Sequence, residues 1–153
     1  NEQLNTVFGQ FRTAGATELV LDLRYNPGGS VNSSRLLASM VYGTNTSELY
    51  VRQRWNDKIQ SMLNKEQLED YFANKTDSGT ALNSLNLNKV YVLATGSSAS
   101  ASELVMNGLA PYVNVFHIGE TTRGKNEFSV TMVGQCNRLW EEMKILKDFR
   151  TIP

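Results

Sequence analysis

Apolar residues recur along this chain in two rhythms, and the switches between them mark its elements. Leu4, Val7, Phe8 and Phe11 keep helical spacing, so the first dozen residues predict an amphipathic helix. ELVLDLR (18–24) is a short run rich in strand formers, and NPGG (26–29) ends it with a strong turn. From Ser33 to Tyr42 the helical rhythm returns, with Leu36, Leu37, Met40 and Val41 on one side. ELYVRQRW (48–55) alternates like a half-buried strand, and residues 57–75 predict a helix through Ile59, Met62, Leu63, Leu68, Tyr71 and Phe72. DSGTALNSLNLN (77–88) is turn-rich and predicts an exposed connection.

KVYVLAT (89–95) then predicts a buried strand, SASELVMNGLA (100–110) a helix, VNVFHIG (113–119) a strand and EFSVTMV (127–133) another. Strands alternating with helices predict an α/β domain with parallel pairs. Beyond Val133 the character changes. Leu139, Met143 and Leu146 share one helical face, expected to cover core rather than to meet a partner, and residues 134–153 are set apart from a 1–133 core.

Composition narrows the function classes. The 153 residues carry 41% hydrophobic and 20% charged side chains, as in an ordinary soluble domain. Fifteen basic residues balance fifteen acidic ones, which argues against nucleic acid or an anionic membrane as partner. No apolar run approaches the roughly 18 residues of a membrane span. The opening NEQLNTVFGQF lacks the pattern of a signal peptide, as expected of a mature form or a piece of a longer chain. One cysteine (Cys136) and one histidine (His117) exclude an intrachain disulfide and any Cys- or His-rich metal site, so neither metal nor cofactor is expected. His117 alternates with Val113 and Val115 and is expected to be packed or hydrogen-bonded.

Three stretches follow predicted strands: NPGG, GSSASASE (96–103) and GETTRGKN (119–126). Ligands of open α/β sheets bind outside the carboxyl ends of the strands, so the three can converge. GSSASASE is unusual because four serines separate a strand from a helix. Ser100 and Glu103 have the spacing of a capping box, and a serine at a helix N-terminus also has free amides at hand for an oxyanion. The nucleophile elbow G-x-S-x-G does not fit. GETTRGKN imitates a P-loop, but Asn126 replaces its hydroxyl residue and a strand is predicted where a P-loop leads into a helix. Asp22, Arg24 and Glu103 can make a buried ion pair or orient these loops, and the structural role is expected.

LVLDLRYNPGG, VYVLATGSSASASELVMNGL and IGETTRGKN, in this order and spacing, resemble the carboxyl-terminal processing (tail-specific) proteases over roughly residues 1–133. The resemblance implies an α/β, ClpP/crotonase-like core, usually preceded by a PDZ-type domain. It also implies a serine endopeptidase with a Ser/Lys dyad, Ser100 as nucleophile and Lys125 as general base. Backbone amides of Gly28 or Gly29 and of Ala101 would form the oxyanion hole, with the choice between the glycines open. Polypeptides cut near their carboxyl ends are the implied substrates, and a bacterial periplasm or cell envelope the implied location. Where many relatives carry a glutamine that orients the lysine, this chain has Ser129, so Glu127 or a water is expected to substitute.

A solvated lysine, with a pKa of about 10.4, is protonated at neutral pH. The dyad therefore implies a Lys125 dry enough to be uncharged. Two other readings stay open: an inactive relative that binds peptide or scaffolds an assembly, and a crotonase-type acyl-CoA enzyme.

Overall fold

The computed structural model describes residues 1–129 and the pair Phe149–Arg150. Helix α1 (Glu2–Thr13) leads into strand β1 (Val20–Asp22), and Asn26–Gly29 carries the chain to α2 (Val31–Val41). Ser30 caps α2, its hydroxyl accepting from the Ser33 amide. Strand β2 (Leu49–Gln53), the single turns α3 (Asp57–Gln60) and α4 (Lys65–Leu68) and strand β3 (Glu69–Tyr71) follow. Strand β4 (Lys89–Ala94), helix α5 (Ala101–Leu109) and strand β5 (Asn114–Gly119) then complete a parallel unit, and β6 (Phe149–Arg150) pairs with β2.

Two sheets result. One is parallel in the order β1-β4-β5, with Val20 beside Tyr91 and Tyr91 beside Phe116. The other is antiparallel in the order β3-β2-β6. In the central strand β4, Val90, Val92 and Ala94 are fully buried on one face. Val90 and Val92 share the core with Leu36, Met40 and Val41 of α2, Leu104, Val105 and Leu109 of α5, and the rings of Tyr50 and Phe72. The other face carries a stacked Tyr91–Phe116 pair (centroids 5.1 Å apart) and the exposed Val20 and Ile118. This is the α/β arrangement that the alternating rhythms predict.

Two expectations are corrected, and a third falls largely outside the described residues. The helix predicted over 57–75 is replaced by two isolated turns and a strand. Asn56 and Asn64 each accept from the amide three residues on (Ile59 and Gln67), and the Gln67 side-chain oxygen accepts from the Asn64 amide. Caps at both positions restart the chain rather than continue it. Glu69 then turns inward to pair with Arg52 and to accept from the Tyr71 hydroxyl (2.5 Å), which favours the strand over the helical pattern.

The connection 77–88 is anchored rather than exposed. Leu82, Ser84 and Leu87 are buried, and the Leu85 and Leu87 amides donate to Met40 and Val41 at the end of α2. Asn83 donates twice to Asn5 of α1, from its amide to the Asn5 side-chain oxygen and from its carboxamide to the Asn5 carbonyl. Finally, Glu127–Ser129 lie outside any strand, while residues 130–133 and the face formed by Leu139, Met143 and Leu146 fall outside the described residues.

Candidate active site

Parallel pairing brings the loops after β1, β4 and β5 to one end of the sheet. There the serine cluster acquires a structural reason. The segment 23–26 leaves β1 with its carbonyls unpaired by any sheet neighbour, and hydroxyls from the second loop take them up. Ser98 donates to the Leu23 carbonyl (2.6 Å), Ser102 to Asn26 (2.9 Å) and Thr95 to Arg24, while the Ala99 amide reaches Asn26 (3.3 Å). Ser98 and Ser102 are buried, so larger side chains would force the two loops apart. Ser97 is exposed, whereas the half-buried Ser100 lines two cavities.

Ser100 is also the residue whose backbone is out of the ordinary. Its φ of 56° and ψ of −117° lie outside the regions an L-residue readily adopts. Such a conformation costs on the order of 1–3 kcal/mol and persists only where its surroundings impose it. Here they do so from two directions. The Ser100 amide donates to Glu103 Oε2 (2.7 Å), and Gly28 presses against the turn. A Cβ on Gly28 would stand 2.7 Å from the Ala99 oxygen, 2.8 Å from Ser100 Cβ and 2.9 Å from the Ala101 nitrogen. With φ at +106°, this position both needs glycine and admits nothing larger.

The amides around Ser100 divide cleanly. The Gly28 amide is committed to the Asn26 side chain (2.9 Å). Among the described residues, those of Gly29 and of Ala101 (first in α5) have no acceptor in the protein.

Glu103 joins the second and third loops. It accepts not only from Ser100 but from the Gly124 amide (2.5 Å) and the Lys125 amide (2.9 Å). Burial pushes the Glu103 carboxyl up, but the Thr122 hydroxyl and these three amides more than offset that and hold it below the ordinary range. Its role as the joint between nucleophile loop and lysine loop was legible only as a capping-box spacing. The contacts with Gly124 and Lys125 bridge more than twenty positions and leave no local signal.

Lys125 is exposed, contrary to the dry amine that the sequence led us to expect. Its backbone is fixed by Glu103, and its side chain lines both a cavity of about 360 Å³ and one of about 440 Å³. Ser100, Leu104 and Lys125 belong to the walls of both, so the two cavities meet at the serine and the lysine. Ser129 lines the larger one; Glu127 is half-buried and lines neither. Phe128 reaches the larger cavity with its ring edge-to-face against Trp55 (5.2 Å), so the segment just after β2 supports this wall.

Of the two roles open to Asp22, Arg24 and Glu103, the buried ion pair does not form, while Glu103 does orient the loops. The expectation of a packed His117 fails. Asp22 and Arg24 form an exposed bidentate pair (2.9 and 2.6 Å) that excludes Glu103 and is not buried. The hydrogen bonds from Arg24 lower the Asp22 carboxyl to about 2. His117 is exposed on the edge strand β5 and opens onto the smaller cavity rather than packing in the core.

Residues 1–138 match the model of Peptidase family S41. The chain belongs to Peptidase family S41. Its S41 fold is shared by a Bacteroides fragilis NCTC 9343 protein provisionally assigned as an S41 protease, at 31% identity and a TM-score of 0.77 over 97% of this chain and 37% of that one. A photosystem II D1 C-terminal processing protease shares the fold at 20% identity and a TM-score of 0.62, over 97% of this chain and 33% of that one. So does a lipoprotein from Streptococcus agalactiae, at 12% identity and a TM-score of 0.51, over 97% of this chain and 48% of that one. The chain thus spans between a third and a half of the length of these solved structures. A comparison with curated proteins finds no significant match.

Proposed function

We propose that this chain carries the catalytic centre of a serine peptidase in which Ser100 attacks the peptide carbonyl and Lys125 is the general base. The observation that carries the reading is the strained Ser100 turn, flanked by two amides without acceptors and opening on cavities that Lys125 shares. A hydroxyl becomes an effective nucleophile only when its proton is removed. The uncharged Lys125 amine takes that proton as Ser100 Oγ bonds to the carbonyl carbon. The Gly29 and Ala101 amides receive the charge that develops on the oxygen, and Gly28 shapes the turn that presents them.

The tetrahedral intermediate then collapses. The carbon–nitrogen bond breaks, Lys125 returns its proton to the leaving amine, and an ester to Ser100 remains. Water, deprotonated by the same amine, hydrolyses that ester and restores both groups.

Because Lys125 is exposed in the free protein, the bound peptide itself supplies the desolvation that keeps the amine uncharged. Ser129 lines the larger cavity together with Lys125 and is the residue we assign to orienting the amine through a water, since the half-buried Glu127 lines neither cavity. Polypeptides are the substrates of this reading. Cutting near carboxyl ends draws support from the likeness to a protease named for C-terminal processing, and a location outside the cytoplasm from the lipoprotein neighbour. Among the described residues no helix is long and apolar enough to cross a membrane.

The exposed amine favours one rival, an inactive S41 relative that binds peptide. Hydrolysis of a peptide library by the full-length polypeptide separates the two. The proposal requires cleavage that Ser100→Ala and Lys125→Ala each reduce by about 10³-fold or more. Binding without cleavage, or cleavage untouched by either change, sinks it.

A further inference from the structure

The two cavities that meet at Ser100 are lined by different side chains. On the larger side stand Pro27, Val31 and Phe128, together with Ser30, Gln53 and Ser129. On the smaller side stand Met106, Asn107, His117 and Thr122, with Glu103 behind them. An extended peptide whose scissile carbonyl sits at Ser100 sends the residues on its two sides toward different cavities.

We propose that the smaller cavity is a specificity subsite, and that His117 and Asn107 make it select an uncharged, hydrogen-bonding side chain of the carboxamide type. This rests on the peptidase reading and names the class of sequence that would be cut.

The placement of His117 follows from register. It lies beside Val92 on β5, on the side of the sheet that packs against the helices, but on an edge strand where the ring reaches the cavity instead of the core. Asn107 faces the same space from the exposed side of α5. Among the described residues, neither the imidazole nor the Asn107 carboxamide is hydrogen-bonded to another protein group. Both can give and accept a hydrogen bond, and a substrate carboxamide offers the same pair in return.

Charge decides against ionised side chains. The Glu103 carboxylate is part of the wall and Lys125 stands at the mouth. A substrate carboxylate would meet the charge of Glu103 and would also favour the ammonium form of Lys125, disabling the base. A cationic side chain would compete with the Ser100, Gly124 and Lys125 amides for Glu103 and loosen the joint between the loops. A neutral polar group does neither.

The test uses the full-length polypeptide and octapeptides with leucine on one side of the intended cut and Asn, Gln, Ala, Asp or Lys on the other, in both orders. Binding to the Ser100→Ala variant is read by fluorescence anisotropy, and kcat/KM is read with Ser100 intact. In one of the two orders, Asn and Gln peptides should exceed Ala, Asp and Lys peptides by about tenfold. His117→Leu should bring the Asn-to-Ala ratio to about one, while His117→Gln should largely retain it. His117 is exposed, so its replacement leaves the core intact, and a melting curve checks this.

Ser100-dependent hydrolysis without this ranking, or a ranking indifferent to His117→Leu, overturns the subsite and leaves the peptidase standing. The ranking in binding without any hydrolysis supports the subsite and rejects the peptidase. No binding and no hydrolysis reject both.

Discussion

The nucleophile turn and the lysine loop flank the same pair of cavities but are built in opposite ways. Residues 95–103 are locked: hydroxyls of Thr95, Ser98 and Ser102 hold the neighbouring segment, Gly28 fits without spare room, and Ser100 is kept in a strained conformation. Residues 120–126 are tied largely through backbone amides, with the Thr122 hydroxyl also on Glu103. Arg123 donates to the Ser98 carbonyl and Gly124 and Lys125 to Glu103, while the Lys125 side chain stands in the open. The oxyanion donors and the nucleophile are therefore arranged before substrate arrives, as electrostatic preorganisation requires. The environment of the base is completed only on binding.

Two glycines with positive φ put this contrast to the test, because one is enclosed and the other is not. Gly28→Ala should have the largest effect. The methyl would sit under 3 Å from three atoms of the nucleophile turn, so the turn must move. We expect a loss of activity of about 10²-fold or more from displaced oxyanion donors, with a clear fall in melting temperature.

Glu103→Gln comes next, since it strikes the joint between the two regions. One carboxamide oxygen cannot serve three amides, and a loss of about 2–3 kcal/mol in stability is expected at neutral pH. The pH dependence has a definite sign. The Glu103 carboxyl lies below its ordinary value of 4.5, so its contribution is complete above that pH and disappears as pH falls through the depressed value. Denaturant titrations should show the gap between the two proteins closing in acid; a gap that does not change with pH would contradict the assignment.

Gly124→Ala should be mildest. Its φ of +75° strains an alanine by about 1–2 kcal/mol, but nothing lies within 4 Å of the added methyl. Equal effects at Gly28 and Gly124 would break the comparison.

The sequence made the locked region legible and the rest only in part. The strands at 18–24, 89–95 and 113–119, the helices beside them and the convergence of their three following loops all came from local rhythm and turn chemistry. The serine cluster stood out by its place between a strand and a helix, but only the family resemblance singled out Ser100 within it. The segment 57–75 misled because its helical spacing is real, yet Asn56 and Asn64 restart the chain and the pairing of Glu69 with Arg52 draws it into a sheet. The burial of Leu82 and Leu87 depends on distant amide bonds to α2, which no window around them contains. His117 and Lys125 were misplaced for a shared reason. Alternation tells which face of a strand a residue takes but not where its cover ends, and no local pattern reports the desolvation of a loop side chain.

The most direct measurement of the central claim is the pH dependence of kcat beside that of kcat/KM on one good peptide, in the full-length polypeptide with chemistry rate-limiting. The first reports the enzyme–substrate complex and the second the free enzyme. A base that is open until substrate covers it should give rising limbs in both profiles, with that of kcat displaced to lower pH. Coincident limbs, or a kcat/KM flat from acid to alkaline pH, would contradict it.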